Sequence, residues 1–225
     1  MKTRFLLVVV LLASLLAACK PAAPDFSGTW TGNVAILTLT QTGDKVTGSV
    51  EGYGGQWNFS VAGTVSGTIL TFSGDTPLGA LAIVISKDGK TFRSADPALA
   101  FCATRGETLP QGCGFSGEWK LKADFLPEGS TAKLTQSGAN VTGAAYGPDG
   151  GQLTLLTSVV AWGKGWFATG TNDWGDFILS MTGDEKAFDL VVPAQPAKDK
   201  NNREWCGLRE GETLVYVFAF DCTIP

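Results

Sequence analysis

Leu39-Thr40-Gln41-Thr42-Gly43-Asp44-Lys45-Val46-Thr47-Gly48 returns later in the chain as Leu134-Thr135-Gln136-Ser137-Gly138-Ala139-Asn140-Val141-Thr142-Gly143. In each copy, two short runs rich in β-branched residues flank a two-residue break that opens with glycine. Glycine tolerates the positive φ that a two-residue hairpin turn demands, so each copy predicts a β-hairpin. Further similarities flank the pair. Phe26-Ser27-Gly28-Thr29-Trp30 is repeated as Phe115-Ser116-Gly117-Glu118-Trp119, and Tyr53-Gly54-Gly55 as Tyr146-Gly147-Pro148. Phe101-Cys102-Ala103-Thr104-Arg105-Gly106-Glu107-Thr108-Leu109 is answered by Trp205-Cys206-Gly207-Leu208-Arg209-Glu210-Gly211-Glu212-Thr213-Leu214. Four similarities in the same order amount to an internal duplication, with repeat one at 26–110 and repeat two at 111–225. Each repeat is long enough to fold as a small domain.

Within both repeats the pattern is β throughout. Runs of four to eight residues alternate with Gly, Asp, Asn or Pro, and no stretch after residue 25 holds a helical period. Further turns are expected at Gly74-Asp75, Asp88-Gly89, Asp149-Gly150-Gly151, Gly163-Lys164-Gly165, Asn172-Asp173 and Gly183-Asp184. That spacing yields about seven or eight strands per repeat. Short antiparallel strands shed their open edges by closing on themselves. The predicted fold class is therefore all-β: two tandem antiparallel meander β-barrels.

Composition narrows the function. The chain has 225 residues, 44% of them apolar, which suffices for a real core. It has no histidine, so a Ser-His-Asp triad, a Cys-His pair and an imidazole zinc site are excluded. A pI near 4.9 argues against nucleic acid as a partner, because that needs a basic face. No cofactor is expected.

The N-terminus reads as an address. Lys2 and Arg4 precede an apolar run from Phe5 to Leu16, too short to span a bilayer comfortably but apt for a secretory signal. The run ends Leu16-Ala17-Ala18-Cys19, which resembles the bacterial lipobox. The resemblance implies a lipoprotein signal peptide over 1–18 and acylation of Cys19, the new N-terminus, which anchors the chain in the membrane. Lys20 stands beside that cysteine, where an aspartate would imply inner-membrane retention, so the resemblance implies the outer membrane or cell surface in a cell that has an outer membrane. Residues 19–25 then form the lipidated cysteine and a short Pro-containing tether. Removing Lys2 and Arg4 leaves 15 basic against 21 acidic residues, a net charge of −6.

Gly28-Thr29-Trp30 and Gly117-Glu118-Trp119, each on the first strand of its repeat, resemble the Gly-x-Trp of calycins, the group that includes lipocalins and avidin-like proteins. In lipocalins that tryptophan closes one end of the barrel and an arginine from a late strand lies across it. Arg105 and Arg209 occupy the matching late positions, so the resemblance implies Trp30–Arg105 and Trp119–Arg209 contacts, each worth ~0.5–2 kcal/mol. Both repeats are shorter than a typical lipocalin, which implies a small cavity. The avidin ligand asparagine is missing: Thr31-Gly32 precede Asn33, and repeat two has Lys120-Leu121. Biotin binding does not carry over.

Setting Cys19 aside leaves Cys102, Cys113, Cys206 and Cys222, an even number suited to an oxidising compartment. Of three possible pairings, 102–113 and 206–222 are expected. The first pair would face across a hairpin centred on Glu107-Thr108, and the second would flank the final hairpin. Cross-repeat pairing is the alternative. No metal site is expected, since one cysteine pair per repeat without histidine supplies too few soft ligands.

Other candidates have bland readings close at hand. Asp173/Asp176 and Glu210/Glu212 are acidic pairs, and Asn172-Asp173-Trp174-Gly175-Asp176 is calcium-like, but Asn and Asp also suit turns. Tyr146-Gly147-Pro148-Asp149-Gly150-Gly151 is glycine-rich with no helix behind it to hold a phosphate. Lys198-Asp199-Lys200-Asn201-Asn202-Arg203 reads as a solvated loop. Trp162, Trp166 and Trp174 cluster in repeat two alone. They are either barrel packing or an aromatic rim that grips a sugar, an apolar ligand or a protein. The expected function is thus a non-enzymatic, membrane-anchored binding or interaction module of the cell envelope, for a small apolar ligand or an envelope protein. The alternatives are a carboxylate-based envelope enzyme acting on glycans and a filled-core interaction module without a cavity.

Overall fold

The structure, a computed structural model, describes residues 24–223 apart from 56, 75–79, 124, 163–165, 174, 192–204, 213 and 218–219. The signal peptide and Cys19 therefore lie outside the described residues.

The first barrel contains β1 (Gly28–Gly32), β2 (Ala35–Thr42), β3 (Lys45–Gly52), β4 (Asn58–Ser66), β5 (Ile69–Phe72), β6 (Ala82–Ile85), β7 (Thr91–Ser94) and β8 (Cys102–Thr104). The second contains β9 (Gly117–Lys122), β10 (Thr131–Ser137), β11 (Asn140–Tyr146), β12 (Gln152–Trp162), β13 (Trp166–Asn172), β14 (Gly175–Met181), β15 (Ala187–Val191) and β16 (Trp205–Arg209). Each is a closed antiparallel meander of sequential neighbours. Barrel one closes where Thr31 and Gly32 pair with Thr104 and Ala103, and barrel two where β16 pairs with β9 from Cys206↔Lys122 to Arg209↔Trp119. The two halves do not interleave. Among the described residues the last two strands, β17 (Leu214–Val217) and β18 (Phe220–Thr223), pair only with each other, and the closed sheet of barrel two ends with β16 at Arg209.

Local chemistry accounts for the register. The β2–β3 hairpin pairs Thr42 with Lys45 around Gly43-Asp44, and β10–β11 pairs Ser137 with Asn140 around Gly138-Ala139. Both glycines take positive φ, 62° and 55°. Along β2, Ala35, Leu37 and Leu39 are buried while the residues between them are exposed. A one-residue slip would invert that alternation, so burial pins the register. Three strands depart from the four-to-eight-residue expectation: β8 has three residues, β4 nine and β12 eleven.

Side chains pack the described interiors, as the small bore of an eight-stranded barrel allows. In barrel one Trp30 sits 4.8 Å from Phe92, which lies 5.9 Å from Phe101. In barrel two Phe188 stands between Trp119 at 4.9 Å and Trp205 at 6.1 Å, both edge-on. That geometry suits the ring quadrupoles. Tyr53, just after β3, leaves its own half and packs into the core of barrel two, while its hydroxyl donates to Gly32 O at 2.7 Å.

Cys102 and Cys113 form a disulfide, with Cα atoms 5.9 Å apart. The segment between them is not the hairpin expected around Glu107-Thr108. It is the linker between barrels, and it pairs outward: Thr108 bridges to Ser137, Leu109 N donates to Gln136 O at 2.9 Å, and Gly138 N donates to Glu107 O at 3.0 Å. Glu107 to Leu109 thus satisfy backbone groups on the β10–β11 turn of barrel two, while Cys113 N turns back to Pro110 O at 3.1 Å and Gly112 N donates to Ser116 O at 2.9 Å.

Candidate functional site

Two copies of one side-chain arrangement close one end of each barrel. Trp30 Nε1 donates to Phe26 O at 2.8 Å, and Trp119 Nε1 to Phe115 O at 3.0 Å. Each indole is thereby buried with its polar atom satisfied. The guanidinium of Arg105 lies 4.2 Å from the Trp30 ring centre, and that of Arg209 lies 4.2 Å from that of Trp119. Among the described residues neither arginine holds a carboxylate by hydrogen bonds. Arg105 donates to Gly89 O, Ser27 O and Asp25 O at 2.9, 2.6 and 2.6 Å. Arg209 donates to Glu185 O, Ser116 O and Gly114 O at 2.9, 3.0 and 2.8 Å. The fork of five donors lets one side chain tie the entry segment, the β6–β7 or β14–β15 turn and the indole together.

A glutamine completes each copy. Gln41 Oε1 accepts from Phe26 N at 2.8 Å, and Gln136 Oε1 accepts from Phe115 N at 3.0 Å. The backbone N of each glutamine donates to the serine before the Gly-x-Trp, Ser27 at 3.0 Å and Ser116 at 2.8 Å. The copies differ in one partner. Gln41 Nε2 reaches Pro24 O at 3.1 Å, in the entry tether, whereas Gln136 Nε2 reaches Asn33 O of barrel one at 2.7 Å. The second latch is therefore wired into the first barrel.

Around Asn33 the two barrels meet. Asn33 is buried, and its Nδ2 donates both to Ala100 O at 2.8 Å and to the carboxylate of Glu185 in barrel two. Ala100 N donates across to Gly183 O at 3.2 Å. Glu185 is only 4% exposed. Burial pushes its carboxyl from the usual 4.5 up to about 7, against the opposing pull of the Asn33 and Gly114 donors and of the more distant Arg209 and Arg93. A cleft of about 330 Å³ opens beside this joint, bordered by Arg93, Leu99, Glu185 and Arg209. Sequence reasoning passed over Glu185, since Gly183-Asp184 announces an exposed polar turn. The missed signal was a further repeat: Ser86-Lys87-Asp88-Gly89-Lys90 corresponds to Thr182-Gly183-Asp184-Glu185-Lys186.

The other candidates fall elsewhere. Trp162 and Trp166 are register partners at the end of β12 and the start of β13, but their side chains, and all of Trp174, lie outside the described residues. So does the Lys198–Arg203 run. Cys206 is disulfide-bonded, and the side chain of Cys222, its expected partner, also lies outside them. Asp173 accepts from Thr154 Oγ1 at 3.1 Å, and Glu212 pairs with Lys186 at 3.2 Å. Among the described residues no group of three or more Cys, Asp or Glu side chains is placed to hold a metal ion. No family model matches the chain, and no curated protein matches it.

Proposed function

We propose that this chain is a lipoprotein anchored through Cys19 in the outer membrane, whose two calycin-like barrels work without catalysis as an interaction module for a protein of the cell envelope. The observation that carries the reading is the packing of the described interiors. Trp30, Phe72, Phe92, Trp119, Phe177, Phe188 and Trp205 are all buried to within 1%. Barrels filled by their own side chains offer surfaces and rims rather than a bore. The oxidised, buried Cys102–Cys113 pair supports an extracytoplasmic home. The acidic side chains that an envelope glycosidase would need are partly committed, Asp173 to Thr154 and Glu212 to Lys186.

The test is crosslinking of the full lipidated chain in its native membrane, followed by native mass spectrometry of the detergent-extracted protein. One envelope protein crosslinked to barrel residues and re-forming a complex with the purified chain would support the proposal. A small apolar molecule that leaves on denaturation would replace it with a ligand carrier. Cleavage of envelope glycans by the purified chain would replace it with an enzyme.

A further inference from the structure

The duplication supplies its own control for the β14–β15 turn. In repeat one, Ser86 Oγ donates to Asp88 Oδ1 at 2.6 Å, Lys90 N to the same oxygen at 3.1 Å, and Thr91 N to Ser86 Oγ at 3.0 Å. In repeat two, Thr182 Oγ1 donates to Asp184 Oδ1 at 2.7 Å, Lys186 N to the same oxygen at 3.1 Å, and Ala187 N to Thr182 Oγ1 at 3.0 Å. The carbonyl that receives the arginine Nε belongs to Gly89 in one and to Glu185 in the other. The turn demands positive φ at that residue: Gly89 has 70° and Glu185 has 56°. Glycine takes that conformation freely, whereas glutamate is strained in it. Repeat two thus keeps a strained residue and buries its carboxyl where repeat one needs neither.

The carboxyl is placed between the barrels. Asn33 Nδ2 donates to it from barrel one, Gly114 N donates from the linker, and Oε2 lies 3.8 Å from Cys102 Sγ of the disulfide. The charged groups facing it are Arg93 from β7 and Arg209 from β16. Both spend their donors on backbone carbonyls, Arg93 on Gly112 O at 2.9 Å and Gln111 O at 3.2 Å. Within its own turn, Asp184 is bonded to Thr182 and Lys186 N, and Lys186 is paired with Glu212. Asn33 Oδ1, beside the carboxyl, is buried without a hydrogen-bond donor. A proton on Glu185 would add a donor next to that unpartnered acceptor.

From this arrangement we propose that Glu185 is a proton-operated lock between the two barrels: protonated, it holds the β14–β15 turn against Asn33 and Ala100, and its ionisation loosens that joint. The sign follows from burial. The locked state raises the carboxyl pKa above that of an exposed glutamate, so it binds the proton more tightly than the released state. Locking is therefore at full strength below about pH 4.5 and fades as pH climbs through about 7. Inside that window the locked-to-released ratio falls by up to ~10-fold per pH unit.

Hydrogen exchange on the full chain in detergent, from pH 4.5 to 8.5 with intrinsic rates corrected for pH, reads the lock directly. The reporter is Ala100 N–H, which bonds across the joint to Gly183 O. Its protection should fall by up to ~10-fold per pH unit through the window, while Leu39 and Leu134 inside the barrels stay constant. Glu185→Gln should hold the joint at every pH. Glu185→Gly, which restores the residue of repeat one and relieves the strain, should leave a joint of constant strength, and it decides the matter should the Gln variant fail to fold. A pH-independent Ala100 in the unaltered chain overturns the proposal, as does a pH dependence that survives in a folded Glu185 variant.

Discussion

Truncating each latch arginine should have unequal effects on two barrels that share one design. Arg105 and Arg209 each make three hydrogen bonds to backbone carbonyls and one ring contact at 4.2 Å. A hydrogen bond to a charged group is worth ~1.5–3 kcal/mol when sheltered and far less in water. The ring contact adds ~0.5 kcal/mol where exposed and ~2 where desolvated. Arg105 is exposed and its acceptors Asp25 and Ser27 lie at the surface or half-buried; Arg209 is half-buried and its acceptors Gly114, Ser116 and Glu185 are buried. Removing Arg209 strands those carbonyls without water, whereas those around Arg105 recruit solvent. With allowance for non-additivity, Arg209→Ala should cost barrel two ~3–5 kcal/mol and Arg105→Ala should cost barrel one ~1–2. Lysine should rescue little of either, because an ammonium cannot span three carbonyls. Urea-dependent hydrogen exchange at Leu39 and Leu134, equivalent residues of β2 and β10, reads each barrel separately. Equal losses in the two barrels, or losses below ~0.5 kcal/mol in both, would refute the reasoning that burial of the acceptors sets the cost.

Four further outcomes are expected. Gly48→Ala and Gly143→Ala should each destabilise their own barrel by ~1–3 kcal/mol in urea unfolding, since a Cβ there would collide with Thr38 O and Lys133 O of the neighbouring strand. Gly43→Ala, at φ 62° in open space, should cost only the ~1 kcal/mol of its turn conformation. Converting both Cys102 and Cys113 to serine should lower stability by ~2–3 kcal/mol, because the bridge closes a short loop with a sequence separation of 11; since Cys206 is bonded too, unfolding midpoints of the double variant and of the parent should coincide only when both are reduced. Cys19→Ser should move the protein from the detergent-rich to the aqueous phase in detergent phase partitioning, and unchanged partitioning would sink the lipid-anchor proposal.

Much of this protein is legible in one dimension because its determinants are local. Two-residue breaks opening with Gly43 and Gly138 sit between alternating strands, and that alone dictates hairpins, their register and which faces turn inward. Repetition of Gly-x-Trp, of the glutamine hairpin and of the late arginine marks two barrels in series, since each repeat holds a full circuit of strands. What the sequence could not decide is whatever depends on one half meeting the other. The segment between Cys102 and Cys113 looks like a hairpin from its spacing, yet Glu107, Thr108 and Leu109 at its centre pair with the β10–β11 turn. Tyr53 belongs to repeat one by position and to the core of barrel two by packing. Glu185 sits in a stretch that reads as an exposed turn, and only the approach of Asn33, Ala100 and the disulfide from the other barrel takes its carboxyl out of water. Strand pattern and turn chemistry determine each barrel; the desolvation of a charge at their contact exists only once the barrels are docked.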